Sequence, residues 1–102
     1  MEAYFTNKEL KKLYEEGKSK KYPIPTDIAK KFVMCVQKVM AANDIYDFWR
    51  DPSLNFEKLN GYENRYSMRL KLKYRLEMEI EWQNTECTIG ICSIDEISNH
   101  YR

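Results

Sequence analysis

The segment YSMRLKLKYRLEMEIEW, residues 66–82, has a large, mostly apolar side chain at every even-numbered position and a polar or charged one at every odd position. A period of two is typical of β-strands that bury one face and expose the other. One strand of this length would be unusual, so we predict a hairpin that bends near residues 71–73. An odd-numbered loop then keeps both apolar sets on the same face of a sheet.

The chain before this hairpin predicts two helices. Thr6 and Asn7 are suitable N-caps for a helix that ends at Gly17, and a loop with two prolines follows it. A longer helix begins at Thr26 and Asp27 and presents one apolar stripe to a core, while its lysines face away. That stripe consists of Ile28, Phe32, Val33, Val36, Val39 and Met40.

Shorter elements complete the predicted order. The pattern favours an edge strand at residues 1–5, a short helical turn within 43–50, and a further strand at about 87–94 that leaves a tail at 95–102. Helices followed by consecutive strands predict an α+β fold, with two N-terminal helices packed on a small, twisted, mainly antiparallel sheet. We expect one domain spanning residues 1–102, because a chain of 102 residues leaves no room for two ordinary domains.

The composition is that of a folded protein whose charges are unevenly distributed. Hydrophobic residues make up 43% and charged residues 32% of the chain, and the net charge is +1. Residues 1–75 contain 16 Lys and Arg against 10 Asp and Glu, whereas residues 76–102 contain 1 against 6. A nearly neutral chain can therefore still present a basic surface to a polyanion.

Several classes of site and location are disfavoured. An odd number of cysteines without CxxC spacing argues against a disulfide scaffold, so we expect Cys35, Cys87 and Cys92 to be small buried hydrophobic residues. With a single histidine the chain has no metal-ligand spacing, and we expect neither a metal nor another cofactor. Residues 1–10 lack the apolar region of a secretion signal, and no segment approaches the ~20 apolar residues of a membrane span. We therefore expect a soluble, cytoplasmic protein with no membrane partner.

The polar face of the hairpin has two plausible registers. If Leu70 pairs with Tyr74, Arg69 lies opposite Arg75, and two like charges in that position destabilise a sheet unless an anion sits between them. A register shifted by two residues pairs Arg69 with Glu77 instead and removes the repulsion. The pattern alone leaves both registers open.

The first register suggests a binding site for phosphate. It also sets Arg65 against Glu79 as a simple salt pair, and it brings Lys71 and Lys73 near the two opposed arginines. The planar guanidinium of arginine donates paired hydrogen bonds that suit phosphate oxygens. A solvated charged face explains the same pattern without any ligand.

His100 is the only histidine, and near neutral pH it can both accept and donate a proton. Tyr101 beside it can serve as a core residue, a stacking ring or an acid. Residues 66–82 and this tail together predict a small domain with a basic strand face and one titratable side chain near its end. They do not by themselves name a function.

Four segments, read in order, resemble the HigB branch of the RelE/ParE toxin superfamily. EEGKSKKYPIPTDIAKKF, residues 15–32, resembles the family's Gly-Lys loop leading into its second helix. LNFEKLNGYENRYSMRL, residues 54–70, resembles its Leu-Lys-Gly turn followed by a strand with a Ser-x-Arg core. KYRLEMEI, residues 73–80, resembles the next strand, and SNHYR, residues 98–102, resembles an Asp-His-Tyr or Asp-Tyr-His tail.

The resemblance implies a fold, an activity and partners. The fold is a small twisted antiparallel sheet flanked by N-terminal helices, in agreement with the prediction from periodicity. The activity is that of a bacterial type II toxin, which binds the A site of the 70S ribosome and cleaves mRNA during translation. The partner that holds such a toxin inactive is a cognate antitoxin, often a helix-turn-helix protein like HigA.

The resemblance also implies roles for individual residues. Arg75 matches the strand arginine that holds the scissile phosphate, and Arg69 matches its neighbour. His100 and Tyr101 match the tail pair that transfers protons and orients the nucleotide, with His100 as the base that removes the 2′-OH proton without a metal. Further RNA contacts would come from basic and polar residues near the site: Lys58, Lys71, Lys73 and Asn99.

Two positions depart from the family pattern and keep other functions open. Phe56 stands near where some members have a histidine, and Asn99 replaces a frequent aspartate. The first alternative is a ParE-like inhibitor of DNA gyrase that cuts nothing. The second is an inert relative that binds an antitoxin without catalysis.

Overall fold

A computed structural model describes residues 1–71 and 73–99. Its helices and strands follow one another in an α+β order, which confirms the predicted fold class. The elements are β1 (Ala3–Phe5), α1 (Lys8–Glu16), α2 (Thr26–Ala41), α3 (Tyr46–Trp49), a 3-10 turn (Pro52–Leu54), β2 (Glu57–Lys58), β3 (Arg65–Lys71), β4 (Tyr74–Trp82) and β5 (Gly90–Asn99).

The strands form one sheet in the order β1-β5-β4-β3-β2. Every neighbouring pair is antiparallel except β1 and β5, which run parallel. The sheet is therefore mainly antiparallel, as the sequence predicts. The edge strands β1 and β2 are only three and two residues long, and such short edges offer little backbone for unwanted pairing.

The hairpin of β3 and β4 adopts the first of the two registers. Arg69 lies opposite Arg75, and the alternative pairing with Glu77 is wrong. The predicted pairing of Leu70 with Tyr74 is also wrong, because a bulge between Arg69 and Lys71 sets Lys71 opposite Tyr74 instead. An extra residue in one strand of a pair shifts the register past it, and periodicity does not reveal that shift.

The last strand is longer than its sequence suggests. The predicted tail at 95–102 is wrong for residues 95–99, because β5 runs from Gly90 to Asn99 and pairs with β4 along its length. A bulge at Asp95 separates the pairs Met78–Ile94 and Glu77–Glu96. The bulge interrupts the alternation of β5, yet Ile97 beyond it returns to the core.

The core lies between the helices and one face of the sheet. The apolar stripe of α2 faces it as predicted, except that Met40 is 45% exposed and Val33 is half-buried at the edge. The largest fully buried side chains are Phe32, Phe48, Leu10, Leu13, Leu54, Met68, Leu76, Met78, Ile80, Ile94, Val36 and Val39. None of the helices in the described ranges is long and apolar enough to cross a bilayer.

The three cysteines have different environments. Cys35 and Cys92 are fully buried, as predicted, and burial raises the pKa of each thiol to about 11. The same prediction is wrong for Cys87, which is exposed in the turn before β5 with a positive φ of 56°. The turn places the Cys87 side chain outside the sheet.

Candidate functional site

Helices α1 and α2 cover one face of the sheet, and we call the other the open face. Its side chains lie in rows that cross neighbouring strands, because residues in register point the same way. One row consists of Arg69, Arg75 and Ser98. The next row, toward the sheet centre, consists of Glu57, Ser67, Glu77 and Glu96.

The opposed arginines are the basic centre of this face. The Nη1 atom of Arg75 donates to the Oε2 atom of Glu57 at 3.3 Å, and the Arg75 side chain is 22% exposed. Arg69 is exposed opposite Arg75. Two guanidinium groups side by side repel one another, and an anion between them would relieve that repulsion. The geometry therefore favours binding of a phosphate here.

Two buried hydroxyl groups lie beside Arg75. Ser67 is fully buried, and within residues 1–71 and 73–99 the Oγ atoms of Ser67 and Ser98 have no hydrogen-bond partner. Ser98 is in register with Arg75, and Ser67 with Glu57 and Glu77. An unsatisfied buried polar group costs about 1–3 kcal/mol, so hydroxyls in this state are suited to a polar ligand or a bound water.

Arg65, the third arginine on this face, donates hydrogen bonds from all three nitrogens of its guanidinium group. Arg65 forms a bidentate pair with Asp95 at 2.7 and 2.9 Å and donates to Glu77 at 2.8 Å. Arg65 is in register with Glu79, as predicted, but the predicted salt pair with that residue is wrong. The bulge in β5 brings Asp95 within reach, and a diagonal contact reaches Glu77. The bonds to Asp95 chiefly hold the pKa of Arg65 above its ordinary value.

Two of the three predicted lysines point away from the two arginines. Lys71 forms an ion pair with Asp27 at the start of α2, and that bond lowers the pKa of Asp27. Lys58 is in register with the core residue Tyr66, so alternation directs it to the helix-bearing face. Lys73 lies in the turn between β3 and β4. The site on the open face is therefore built around arginines.

The end of β5 lies next to this site. Ser98 is in register with Arg75, and Asn99, the last residue of β5, is in register with Tyr74. The described part of β5 thus reaches one residue past the position in register with Arg75. The predicted proton-transfer residues His100 and Tyr101 follow directly in the sequence, outside the described residues.

Sequence reasoning missed Glu57 and the burial of Ser67. The alternation of residues 56–58 could have revealed the position of Glu57, because a buried Phe56 implies that the next side chain points to the other face of the sheet. The Phe56 ring is 5% exposed and stacks on Tyr66 with centroids 5.1 Å apart. Phe56 therefore belongs to the core, and its neighbour Glu57 reaches Arg75.

Comparison with known proteins identifies the family. The model of the HigB-like toxin family, described as the RelE-like toxin of type II toxin–antitoxin system HigB, matches residues 3–89. This range extends from β1 through the loop after β4 and ends before β5. No curated protein matches the chain. The match covers most of the sequence, and the chain belongs to the HigB-like family of RelE-like type II toxins.

Proposed function

We propose that this toxin is a ribosome-dependent mRNA endonuclease that stops translation by cutting mRNA in the A site of the 70S ribosome. The observation that carries the proposal is the opposed pair Arg69 and Arg75 on the open face, beside the end of β5. A pair of guanidinium groups with buried hydroxyls next to it suits a phosphodiester. Action on ribosomes would place the toxin in the cytoplasm.

The proposed reaction requires no metal. The 2′-OH of the RNA attacks the adjacent phosphorus, an O–P bond forms, and the bond from phosphorus to the 5′-oxygen of the next nucleotide breaks. Arg75 holds the phosphate and, with Arg69, stabilises the charge that builds up on its oxygens. His100 takes the proton of the 2′-OH, and the leaving 5′-oxygen takes a proton from Tyr101, a lysine or water. Tyr101 also orients the reacting nucleotide. The ribosome supplies alignment by holding the mRNA.

A type II toxin has an antitoxin as its partner. We propose that this antitoxin is a helix-turn-helix protein of the HigA kind and that its binding keeps the toxin inactive. Lys73 and Asn99 are proposed to contact RNA at the margins of the site. Lys58 points to the helix-bearing face, so it would contact RNA only where the RNA strand passes around the edge at β2. Lys71 would do so only after releasing Asp27.

The test adds purified toxin to a bacterial cell-free translation reaction and maps mRNA 5′ ends by primer extension. Arg75→Gln and His100→Ala are compared with Arg50→Gln, which changes an exposed arginine paired only with Asp47 on α3. We expect new 5′ ends only when ribosomes translate. Arg75→Gln should reduce cleavage about 10²–10³-fold, as for loss of a donor to a developing anion.

Each other outcome has a definite meaning. Intact mRNA with undiminished protein synthesis under wild-type toxin would reject the proposal in favour of a gyrase inhibitor or an inert antitoxin binder. A folded Arg75→Gln variant that cleaves like Arg50→Gln would remove the open face from the site. Circular dichroism spectra of all variants establish that they are folded.

A further inference from the structure

Ser98, near the end of β5, carries a hydroxyl group that the fold leaves unsatisfied. Its Oγ atom is buried, and across residues 1–71 and 73–99 no group forms a hydrogen bond with it. A buried hydroxyl without a partner destabilises a protein, whereas an alanine at the same strand position does not. The described fold therefore gives no structural reason for a hydroxyl here, and a ligand is the remaining kind of partner.

Ser98 ends a row of side chains that can all donate hydrogen bonds to an anion. Arg69 on β3, Arg75 on β4 and Ser98 on β5 are in register, and all three belong to the open face. Neighbouring strands lie about 4.8 Å apart, so a phosphate above Arg75, at the centre of the row, is within reach of a side chain from either neighbour. Ser98 would thus add a third donor to the two guanidinium groups.

The hydroxyl of Ser98 can turn toward such a ligand. The residue as a whole is partly exposed, although its oxygen is covered. The oxygen rotates about the Cα–Cβ bond among three staggered positions, so a change of rotamer brings it to the surface without any movement of the strand. β1 pairs with β5 only at Cys92–Ile94, so it does not flank Ser98 on the side away from Arg75.

The other unsatisfied hydroxyl, that of Ser67, is a less suitable donor. Ser67 is fully buried, so rotation about its Cα–Cβ bond keeps the oxygen inside the protein. It is in register with Glu57 and Glu77, whose carboxylates repel an anion, whereas Ser98 is in register with Arg75. Of the two serines, only Ser98 combines a cationic neighbour with a route to the surface.

The carboxylate closest to Ser98 along its own strand is bonded elsewhere. Glu96 precedes Ser98 by two residues and also belongs to the open face. Its Oε1 atom accepts a hydrogen bond of 3.1 Å from the hydroxyl of Tyr22, which itself accepts one from Asn7 before α1. These contacts tie Glu96 to the outer side of β5, away from Arg75 on β4, and leave the space beside Arg75 to an anion.

We infer that the hydroxyl of Ser98 donates a hydrogen bond to a non-bridging oxygen of the scissile phosphate, an assignment that rests on the proposed function. Arg69 and Arg75 supply positive charge, and Ser98 adds a neutral donor from the third strand. Negative charge on the non-bridging oxygens increases as the 2′-oxygen bonds to phosphorus. The donor therefore stabilises the transition state more than the bound substrate. Ser98 neither gains nor loses a proton in the reaction.

The test uses the whole toxin on 70S ribosomes programmed with a synthetic mRNA that contains the mapped cleavage site. Single-turnover cleavage is measured for Ser98→Ala, Ser98→Thr and the control Ser93→Ala, which removes a hydroxyl from the same strand and face in register with Glu79. Ser98→Ala should lower the cleavage rate about 10–100-fold, the range for one hydrogen bond to a charged group. Ser98→Thr keeps the hydroxyl and should retain most of the rate, and Ser93→Ala should match wild type.

Urea denaturation of the same variants separates catalysis from structure. Ser98→Ala removes a buried unsatisfied group, so it should unfold at the same urea concentration as wild type or at a higher one. Unfolding at lower urea would reveal a structural bond and overturn the inference. Equal losses of cleavage in Ser98→Ala and Ser98→Thr would assign the effect to packing and overturn it too.

The cleavage rates also distinguish this inference from the proposed function. A wild-type toxin that cleaves, with a Ser98→Ala variant that cleaves equally fast, would overturn the role of Ser98 and leave the endonuclease proposal intact. An inactive wild type would instead contradict the endonuclease itself.

Sulfur substitution then identifies the atom that Ser98 contacts. A phosphorothioate at the cleavage site replaces one non-bridging oxygen with sulfur, a weaker acceptor of hydrogen bonds, and each diastereomer is measured separately. For one diastereomer, sulfur should slow wild type and Ser93→Ala more than it slows Ser98→Ala, because that variant has no donor to lose. An equal effect of sulfur on wild type and Ser98→Ala in both diastereomers would show that Ser98 contacts neither oxygen and would overturn the inference.

Discussion

At the scale of single residues, two of the arginines on the open face differ in how many hydrogen bonds they donate. Arg65 donates three charged hydrogen bonds to Glu77 and Asp95 and is 15% exposed. Arg75 makes one longer contact, to Glu57, and retains donors for a ligand. A guanidinium whose three nitrogens all donate to carboxylates joins strands, whereas one with unused donors can bind an anion. The partners, and not the residue type, therefore separate structural from functional arginines.

Loss of Arg65 should destabilise the fold. Arg65→Met leaves the buried Glu77 and the partly buried Asp95 without their shared cation, and we expect the free energy of unfolding to fall by about 3 kcal/mol. Urea denaturation followed by circular dichroism measures the change. Arg50→Met, which breaks an exposed pair with Asp47, should cost less than about 1 kcal/mol. An equal decrease in the free energy of unfolding of the two variants would show that the Arg65 cluster stabilises the fold no more than an exposed ion pair does.

At the scale of elements, α1 depends on its N-cap residue, Asn7. A nine-residue helix is too short to persist by itself, so capping and packing must hold it. The Oδ1 atom of Asn7 accepts from the backbone N–H groups of Glu9 and Leu10, and its Nδ2 donates to the Tyr22 hydroxyl and the Asp95 carbonyl. One amide thus joins α1, the loop before α2 and β5.

Removal of this cap should loosen three elements together. We expect Asn7→Ala to reduce the free energy of unfolding by about 2 kcal/mol, near the upper end for an N-cap, because the two donor contacts are lost as well. Hydrogen exchange should show faster exchange in α1 and at residues 20–24. Asn43→Ala, at an exposed position after α2, is the control and should stay within about 0.5 kcal/mol of wild type. A similar effect at both positions would contradict the role of Asn7.

At the scale of the whole molecule, the position of a side chain in the fold determines its surroundings. The charges of the open face change sign along the strands, from Arg69 and Arg75 near the hairpin turn to Glu79 and Glu81 at the other end. The three thiols also differ in their surroundings. Burial raises the pKa of Cys35 and Cys92 to about 11, while Cys87 is exposed. Reactivity therefore follows position in the fold.

Native alkylation should modify one cysteine quickly. With iodoacetamide at pH 8, we expect Cys87 to react at the rate of a free thiol and Cys35 and Cys92 at least about 10³-fold more slowly, because they must wait for rare opening of the core. Mass spectrometry of peptides over time measures the three rates. Cys87→Ser should remove the fast phase. Comparable labelling of all three residues would show that the core around α2 and β5 is open.

The sequence by itself determined the features that local periodicity encodes. Strict alternation over residues 66–82 predicted the hairpin, and the helical stripe of residues 28–39 predicted which side of α2 enters the core. The hairpin and the stripe depend on neighbours in the chain, so the sequence is sufficient to predict them. The opposition of Arg69 and Arg75 was one of two registers that the pattern left open, and the structure decided between them.

Only the tertiary structure decided which charged groups meet. The contact of Glu57 with Arg75 spans 18 residues and that of Arg65 with Asp95 spans 30. The latter also requires a bulge in β5, where one extra residue redirects the chain. Side chains on exposed strand faces have no periodic signature that specifies their partners. The contact between Glu57 and Arg75 was therefore visible only after the strands had been placed side by side.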